Sequence, residues 1–152
     1  MRSVVDTNVI ISALIAPRSL PGSVLRLWLE GRFDMLSCAQ HIEELRRITR
    51  YPKLRSLVPP YMAGNVVNDL RASAVWIERL PIIDLCRDPM DNFLLALAQA
   101  GEADFLVTGD KADLLSMQQH GRTRIINSRK CWAVRVWPYC TAEIGRFGAC
   151  SF

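Results

Sequence analysis

Apolar and polar positions along the chain fall into short apolar runs and longer stretches with helical spacing. Arg2 to Val5 is long enough only for a short strand, and the polar triplet Asp6-Thr7-Asn8 follows it. Val9, Ile10, Ala13 and Leu14 then recur at the 3.6-residue spacing of an amphipathic helix, so a buried strand is predicted to run straight into a helix. A loop at Pro17–Gly22 precedes a second apolar helical run, Val24 to Leu29, with Gly31 as its C-cap candidate. Phe33 to Cys38 reads as a second strand. Gln40 to Tyr51 reads as a helix with Ile42, Leu45 and Ile48 inward, stopped by Pro52. Tyr61 to Leu80 has the spacing of one long helix carrying Val66, Val67, Leu70, Ala74 and Ile77, and Pro81 to Leu85 that of a short strand.

Asp88 to Asn92 is a helix entry with Pro89 near the first turn, and Phe93, Leu94, Leu97 and Ala98 pack the helix that ends near Gly101. Ala103 to Asp110 is a strand plus turn, Asp113 to Met117 a short helix, and Arg124 to Ile126 a last core strand. Strand and helix alternate throughout. This pattern predicts an α/β fold, a three-layer sandwich around a parallel sheet of about five strands covered on both faces.

The chain of 152 residues is one domain by size. Its core is expected over residues 1–130, with 131–152 an atypical tail rather than a second domain. Three of the five cysteines and two of the four tryptophans lie in that tail, whose pattern is compatible with an edge strand, an interface arm or a poorly ordered end. Half the residues are apolar and 22% are charged, the balance of a globular protein. No apolar run reaches the ~18 residues of a membrane span, and the N-terminus lacks the regions of a secretory signal. Cytoplasmic location is the default expectation. No cysteine pair has CxxC spacing, which leaves buried thiols as the reading rather than a zinc site. The net charge of +4 is compatible with a polyanionic partner without requiring one.

In this basic chain the acids stand where strands end. Asp6 follows the first strand, Asp88 and Asp91 follow the Ile82–Leu85 run, and Asp110 follows Phe105–Val107. In a parallel sheet all three ends lie on one edge, the edge where open α/β sheets bind ligands. Glu44 falls nearer the apolar stripe of its helix than Glu43, which makes Glu44 the better candidate to face the same cleft. Clustered carboxylates repel unless protons or cations intervene. An all-oxygen donor set favours Mg²⁺ or Mn²⁺, whose chemistry suits hydrolysis of phosphate esters. Asp88 also fits an N-cap before Pro89, and Asp113 either reaches the site or caps the short helix. Thr7, Asn8 and Thr108 are polar neighbours that either orient carboxylates or form local caps. Arg46, Arg47, Arg50 and Lys53 either line an approach for a nucleic-acid backbone or form a solvated helix face.

Val4 to Leu14, Glu44-Leu45, Arg87 to Asn92 and Ala103 to Asp110, in this order and spacing, resemble a PIN domain over roughly residues 2–129. The similarity is greatest to the VapC-like toxin components of bacterial toxin–antitoxin systems. That resemblance implies an α/β/α fold and a Mg²⁺- or Mn²⁺-dependent ribonuclease acting on RNA. Asp6, Glu44, Asp91 and Asp110 fall on the family's acidic quartet, with Asp6, Asp91 and Asp110 as metal ligands. It also implies a homodimer inhibited by a small antitoxin. The alternatives are a catalytically inactive RNA- or protein-binding module, and a phosphatase or DNA 5′-nuclease-like hydrolase. Asn8 stands where a haloacid-type phosphatase would place its second aspartate.

Overall fold

The computed structural model describes residues 1–110 and 112–133. The expectations for the tail beyond residue 133 lie outside the described residues. The elements are β1 (Arg2–Val5), α1 (Thr7–Ile15), α2 (Leu20–Leu29), β2 (Asp34–Ser37), α3 (Ala39–Thr49), α4 (Pro52–Arg55), α5 (Pro60–Ser73) and β3 (Val75–Trp76). A 3₁₀ turn, Pro89–Asp91, then leads into α6 (Asn92–Ala100). The chain continues through β4 (Phe105–Val107), α7 (Leu114–Met117), β5 (Gln119–His120), β6 (Thr123–Ile126) and α8 (Ser128–Ala133).

The strands form one sheet in the order β3-β2-β1-β4-β6-β5. Five are parallel to their neighbours, and β5 alone runs antiparallel, against β6. The sheet is therefore mixed and has six strands, one more than the sequence pattern suggests. Alternation along the strands assigns the two faces. Val5, Met35, Val107 and Ile126 point into one buried cluster, formed with α1, α2, α3 and α5. Val4, Leu36, Leu106 and Ile125 point into the other, formed mainly with α6. The result is an α/β/α sandwich, as the alternation of elements predicts.

Local chemistry explains most boundaries. Asp6 caps α1, accepting from Asn8 N at 2.8 Å. Ser19 caps α2 through Gly22 N. Gly31, at φ 70°, turns the chain out of α2 while Gly31 N and Arg32 N satisfy the Trp28 and Leu27 carbonyls. Two expectations need correction. The helix predicted to reach Leu80 ends at Ser73, and the strand is Val75–Trp76 rather than Pro81–Leu85. Val75-Trp76-Ile77 is a β-branched and aromatic run that pairs with β2 more favourably than it would extend a helix. Among the described residues no single helix is long and apolar enough to cross a membrane; α1 and α2 are apolar because they line the core, and they bend by 103°.

Candidate active site

Sheet order reverses between β1 and β4. The chain moves outward from β1 to β2 and β3 on one side, and from β4 to β6 on the other. The crevice beyond the carboxyl ends of two such strands is the standard ligand position in an open parallel sheet. Asp6 and Thr108 are the residues immediately after β1 and β4, so they face each other across it. The Thr108 hydroxyl donates to Asp6 Oδ2 at 2.5 Å and accepts from Asp110 N at 3.0 Å, joining the two acids through one side chain.

Asp110 organises its own turn. Its Oδ1 accepts from Ala112 N, and its Oδ2 from Asp113 N and Leu114 N. Because Asp110 satisfies the backbone donors at the start of α7, Asp113 makes no side-chain cap there. Instead Asp113 Oδ2 reaches across to Arg87 N at 2.6 Å and Asp88 N at 3.2 Å. That contact braces the loop before the 3₁₀ turn. Asn92 braces it from the other side, its Oδ1 accepting from Leu85 N and Cys86 N. Asp91 follows at the mouth of α6, while Asp88 is the turn's N-cap, accepting from Met90 N.

One carboxylate oxygen from each of Asp91, Asp110 and Asp113 lies within 4.8 Å of the others. Asp6 lies outside this tight group, but its charge is felt at Asp91, and that of Asp110 at Asp6. Glu44 flanks it from α3: its Oε2 accepts the Thr7 hydroxyl at 2.5 Å, and the charges of Asp6 and Asp88 act on it. Glu43, by contrast, is exposed and pairs with Arg46 at 3.2 Å. Arg47 stands 4.0 Å from Glu44, and Arg50 and Lys53 are exposed further along the chain. Asn8 is exposed at the start of α1, and Thr7 and Thr108 are buried.

The electrostatics follow from this crowding. Asp6 is only 2% exposed, and burial raises its carboxyl above the ordinary range against the hydrogen bonds from Thr108 and Asn8, with Asp110 adding to the rise. Burial also raises Glu44, with Asp6 and Asp88 pushing the same way and Thr7 and Arg47 opposing. Burial, then Asp6, Asp88, Asp110 and Glu44, push Asp91 up to about 7. The Cys86 thiol rises to about 11, through burial first and the surrounding aspartates second. Asp91 makes no capping hydrogen bond to relieve it. A half-buried set of carboxylates that repel one another, with oxygen donors alone, fits a hard divalent cation.

Two buried polar residues on the helices that carry this centre were not legible as such. Asn92 opens an otherwise apolar helix, and its position among the buried Phe93–Ala98 run is the one signal that its amide must be satisfied internally. His41 lies one turn before Glu44, fully buried, with Nδ1 3.3 Å from Ser37 Oγ and its ring 6.0 Å from that of Phe93. Burial lowers its pKa to about 4, so the ring is neutral.

Fold and site together define a class: an α/β/α protein with an acidic, divalent-cation-competent crevice at the switch point of its sheet. The PIN domain family model matches residues 2–112, and the chain belongs to that family. It is 31% identical over 134 residues to the uncharacterized protein MJ1680 of Methanocaldococcus jannaschii, covering 84% of this chain and 82% of that one. Among solved structures it resembles a chain of VapBC2 from Rickettsia felis, crystallised bound to a DNA fragment from the promoter. The TM-score is 0.51 at 14% identity, over 84% of this chain and 98% of that chain, a likeness of fold.

Proposed function

We propose that the chain is a Mg²⁺- or Mn²⁺-dependent endoribonuclease and the toxin of a toxin–antitoxin pair. The observation that supports this best is the convergence of Asp91, Asp110 and Asp113 to within 4.8 Å beside Asp6 and Glu44, in a PIN domain. The likeness of fold to a VapBC2 chain is the reason to name a small antitoxin as partner. Homodimer formation is part of the same reading.

In this proposal Asp91, Asp110 and Asp113 hold the cation, with Asp6 completing the set from β1. The bound ion supplies activation of water and neutralisation of phosphate charge. Thr108 fixes Asp6 and the Asp110 backbone relative to each other, so the ligands need little rearrangement on binding. Glu44 exchanges a proton at Oε1, because Oε2 is engaged by Thr7 and burial favours the protonated carboxyl.

The test is cleavage of a labelled single-stranded RNA by purified protein with Mn²⁺, Mg²⁺ or EDTA, beside a DNA flap and a small phosphate ester. RNA cleavage that needs the metal and is abolished in Asp6→Asn and Asp91→Asn is the expected result. Unchanged cleavage by both folded variants defeats the assignment of the acids. Preferred turnover of DNA or the ester defeats the ribonuclease reading, and RNA binding without turnover points to a binding module.

A further inference from the structure

Glu44 and Arg47 lie three residues apart on α3, and Tyr51 follows just past the end of that helix, so Arg47 stands between the crevice acid and the ring. The Arg47 guanidinium lies 5.8 Å from the centre of the Tyr51 ring, and its Nη1 donates to the Tyr51 hydroxyl at 2.5 Å. Its contact with Glu44, at 4.0 Å, is too long for a hydrogen bond. Arg47 is therefore fixed to Tyr51 and only loosely held by the site.

The bland account of this pair is a solvated helix end. Two features of Tyr51 suit the pair to more than that. Tyr51 keeps 47% of its surface exposed although Leu54 and Ile48 beside it turn inward against the core. Its backbone is held as the N-cap of α4. Tyr51 N donates to the Ile48 carbonyl, and the Tyr51 carbonyl accepts from Leu54 N and Arg55 N. Pro52 restricts the chain immediately after it. An aromatic ring on a rigid mount, carrying a guanidinium and flanked by the exposed Arg50, Lys53 and Arg55, matches the stacking platform plus cation that single-stranded nucleic acids use.

We infer that Tyr51 and Arg47 form a nucleotide subsite for single-stranded RNA, Tyr51 stacking on a base and Arg47 holding an adjacent phosphate. This rests on the ribonuclease reading and adds to it a preference for unpaired substrate, because a paired base cannot expose its face to Tyr51. Arg47, held to Tyr51 and only loosely to Glu44, keeps donors for a phosphate, which accepts a guanidinium bidentately.

The experiment measures cleavage kinetics in Mn²⁺ for wild type, Tyr51→Ala, Tyr51→Trp, Arg47→Ala and Arg47→Lys, on a single-stranded RNA and on a duplex of the same length. Binding is measured separately by fluorescence anisotropy in an Asp91→Asn background. Tyr51→Ala and Arg47→Ala should each raise KM for the single strand about 10-fold with kcat little changed. Tyr51→Trp should restore it, and Arg47→Ala should lower the salt slope of binding by about one. Duplex cleavage should not respond to Tyr51→Ala. Unchanged KM and unchanged anisotropy in both alanine variants overturn the subsite while leaving the ribonuclease standing. No cleavage by wild type in either metal overturns the ribonuclease, and the anisotropy of the Asp91→Asn series then decides the subsite on its own.

Discussion

Removing the charge at Asp91 should stabilise the metal-free protein. Asp91 has a carboxyl held at about 7 against its ordinary 3.8, through burial and the charges of Asp6, Asp88, Asp110 and Glu44. The folded state therefore binds more protons than the unfolded chain between these two values. The contribution of this carboxyl to stability is full below pH 3.8 and is lost as pH rises through about 7. A displacement of that size corresponds to roughly 4 kcal/mol at full burial. Asp91 is half-buried at the mouth of a crevice, and solvent screening reduces the figure to about 1–2 kcal/mol. Asparagine is close to isosteric and Asp91 makes no capping hydrogen bond, so Asp91→Asn sacrifices little.

In EDTA at pH 8 the variant should melt roughly 3–6 °C above wild type. At pH 4.5, where wild-type Asp91 is largely protonated, most of that advantage should vanish. Saturating Mn²⁺ should reverse the order, since wild type gains about 2.7 kcal/mol at a hundredfold excess over Kd and a variant that binds poorly gains little. Thermal melts at the two pH values, with and without Mn²⁺, read all of this. A variant less stable than wild type in EDTA at pH 8, or equally advantaged at both pH values, would refute the view that these carboxylates are held together against their own repulsion.

His41 makes the opposite contribution. Its pKa, lowered by burial to about 4 from 6.5, means that the unfolded chain takes up the proton first. The stability it supports is complete above 6.5 and falls by about 3 kcal/mol as pH drops towards 4. The site acids shift stability the other way over part of this range, so the comparison should be urea unfolding of wild type against His41→Phe, whose difference in pH slope isolates the imidazole. Thr108→Val keeps shape but removes the donor to Asp6 and the acceptor for Asp110 N. It should cost about 1–3 kcal/mol in chemical denaturation and weaken Mn²⁺ binding by calorimetry roughly 10–100-fold. Asp113→Asn retains an oxygen to accept from Arg87 N and Asp88 N and should weaken metal binding while leaving the melting temperature near wild type. Asp113→Ala also releases that loop and should lower the melting temperature by several degrees, so calorimetry and melts on the two variants separate the charge from the brace.

The parts of the fold legible in the sequence are those where one local signal sufficed. An apolar strand, a polar triplet and a helical repeat placed Asp6 at the end of β1, and Val107-Thr108 placed Asp110 after β4 in the same way. The β3 region was not legible because Val66, Val67, Leu70, Ala74 and Ile77 keep helical spacing across the point where the helix stops at Ser73. A two-residue edge strand is too short to show a period of its own. The antiparallel β5 is equally short: the chain enters it at Gln118, φ 60°, and turns back into β6 at Gly121, φ 56°.

At the site the division runs the same way. Asp113 was ambiguous because an aspartate before a short helix is normally its cap, and the sequence does not reveal that the cap is already supplied. Asp110 takes Ala112 N, Asp113 N and Leu114 N for itself. That leaves Asp113 free to bond the main chain at residues 87 and 88, which lie 26 and 25 positions away. The contact holds the loop leading to Asp91 against the turn that carries Asp110. Asp6 is fixed by two donors, Asp110 by three and Asp113 by the loop it holds, whereas Asp91 has no capping hydrogen bond. Three acids are thus positioned by hydrogen bonds, and the fourth, Asp91, is placed by the 3₁₀ turn that leads into α6. A crevice arranged in this way spreads the electrostatic cost over Asp6, Glu44 and Asp91, all three raised by burial and by neighbouring carboxylates.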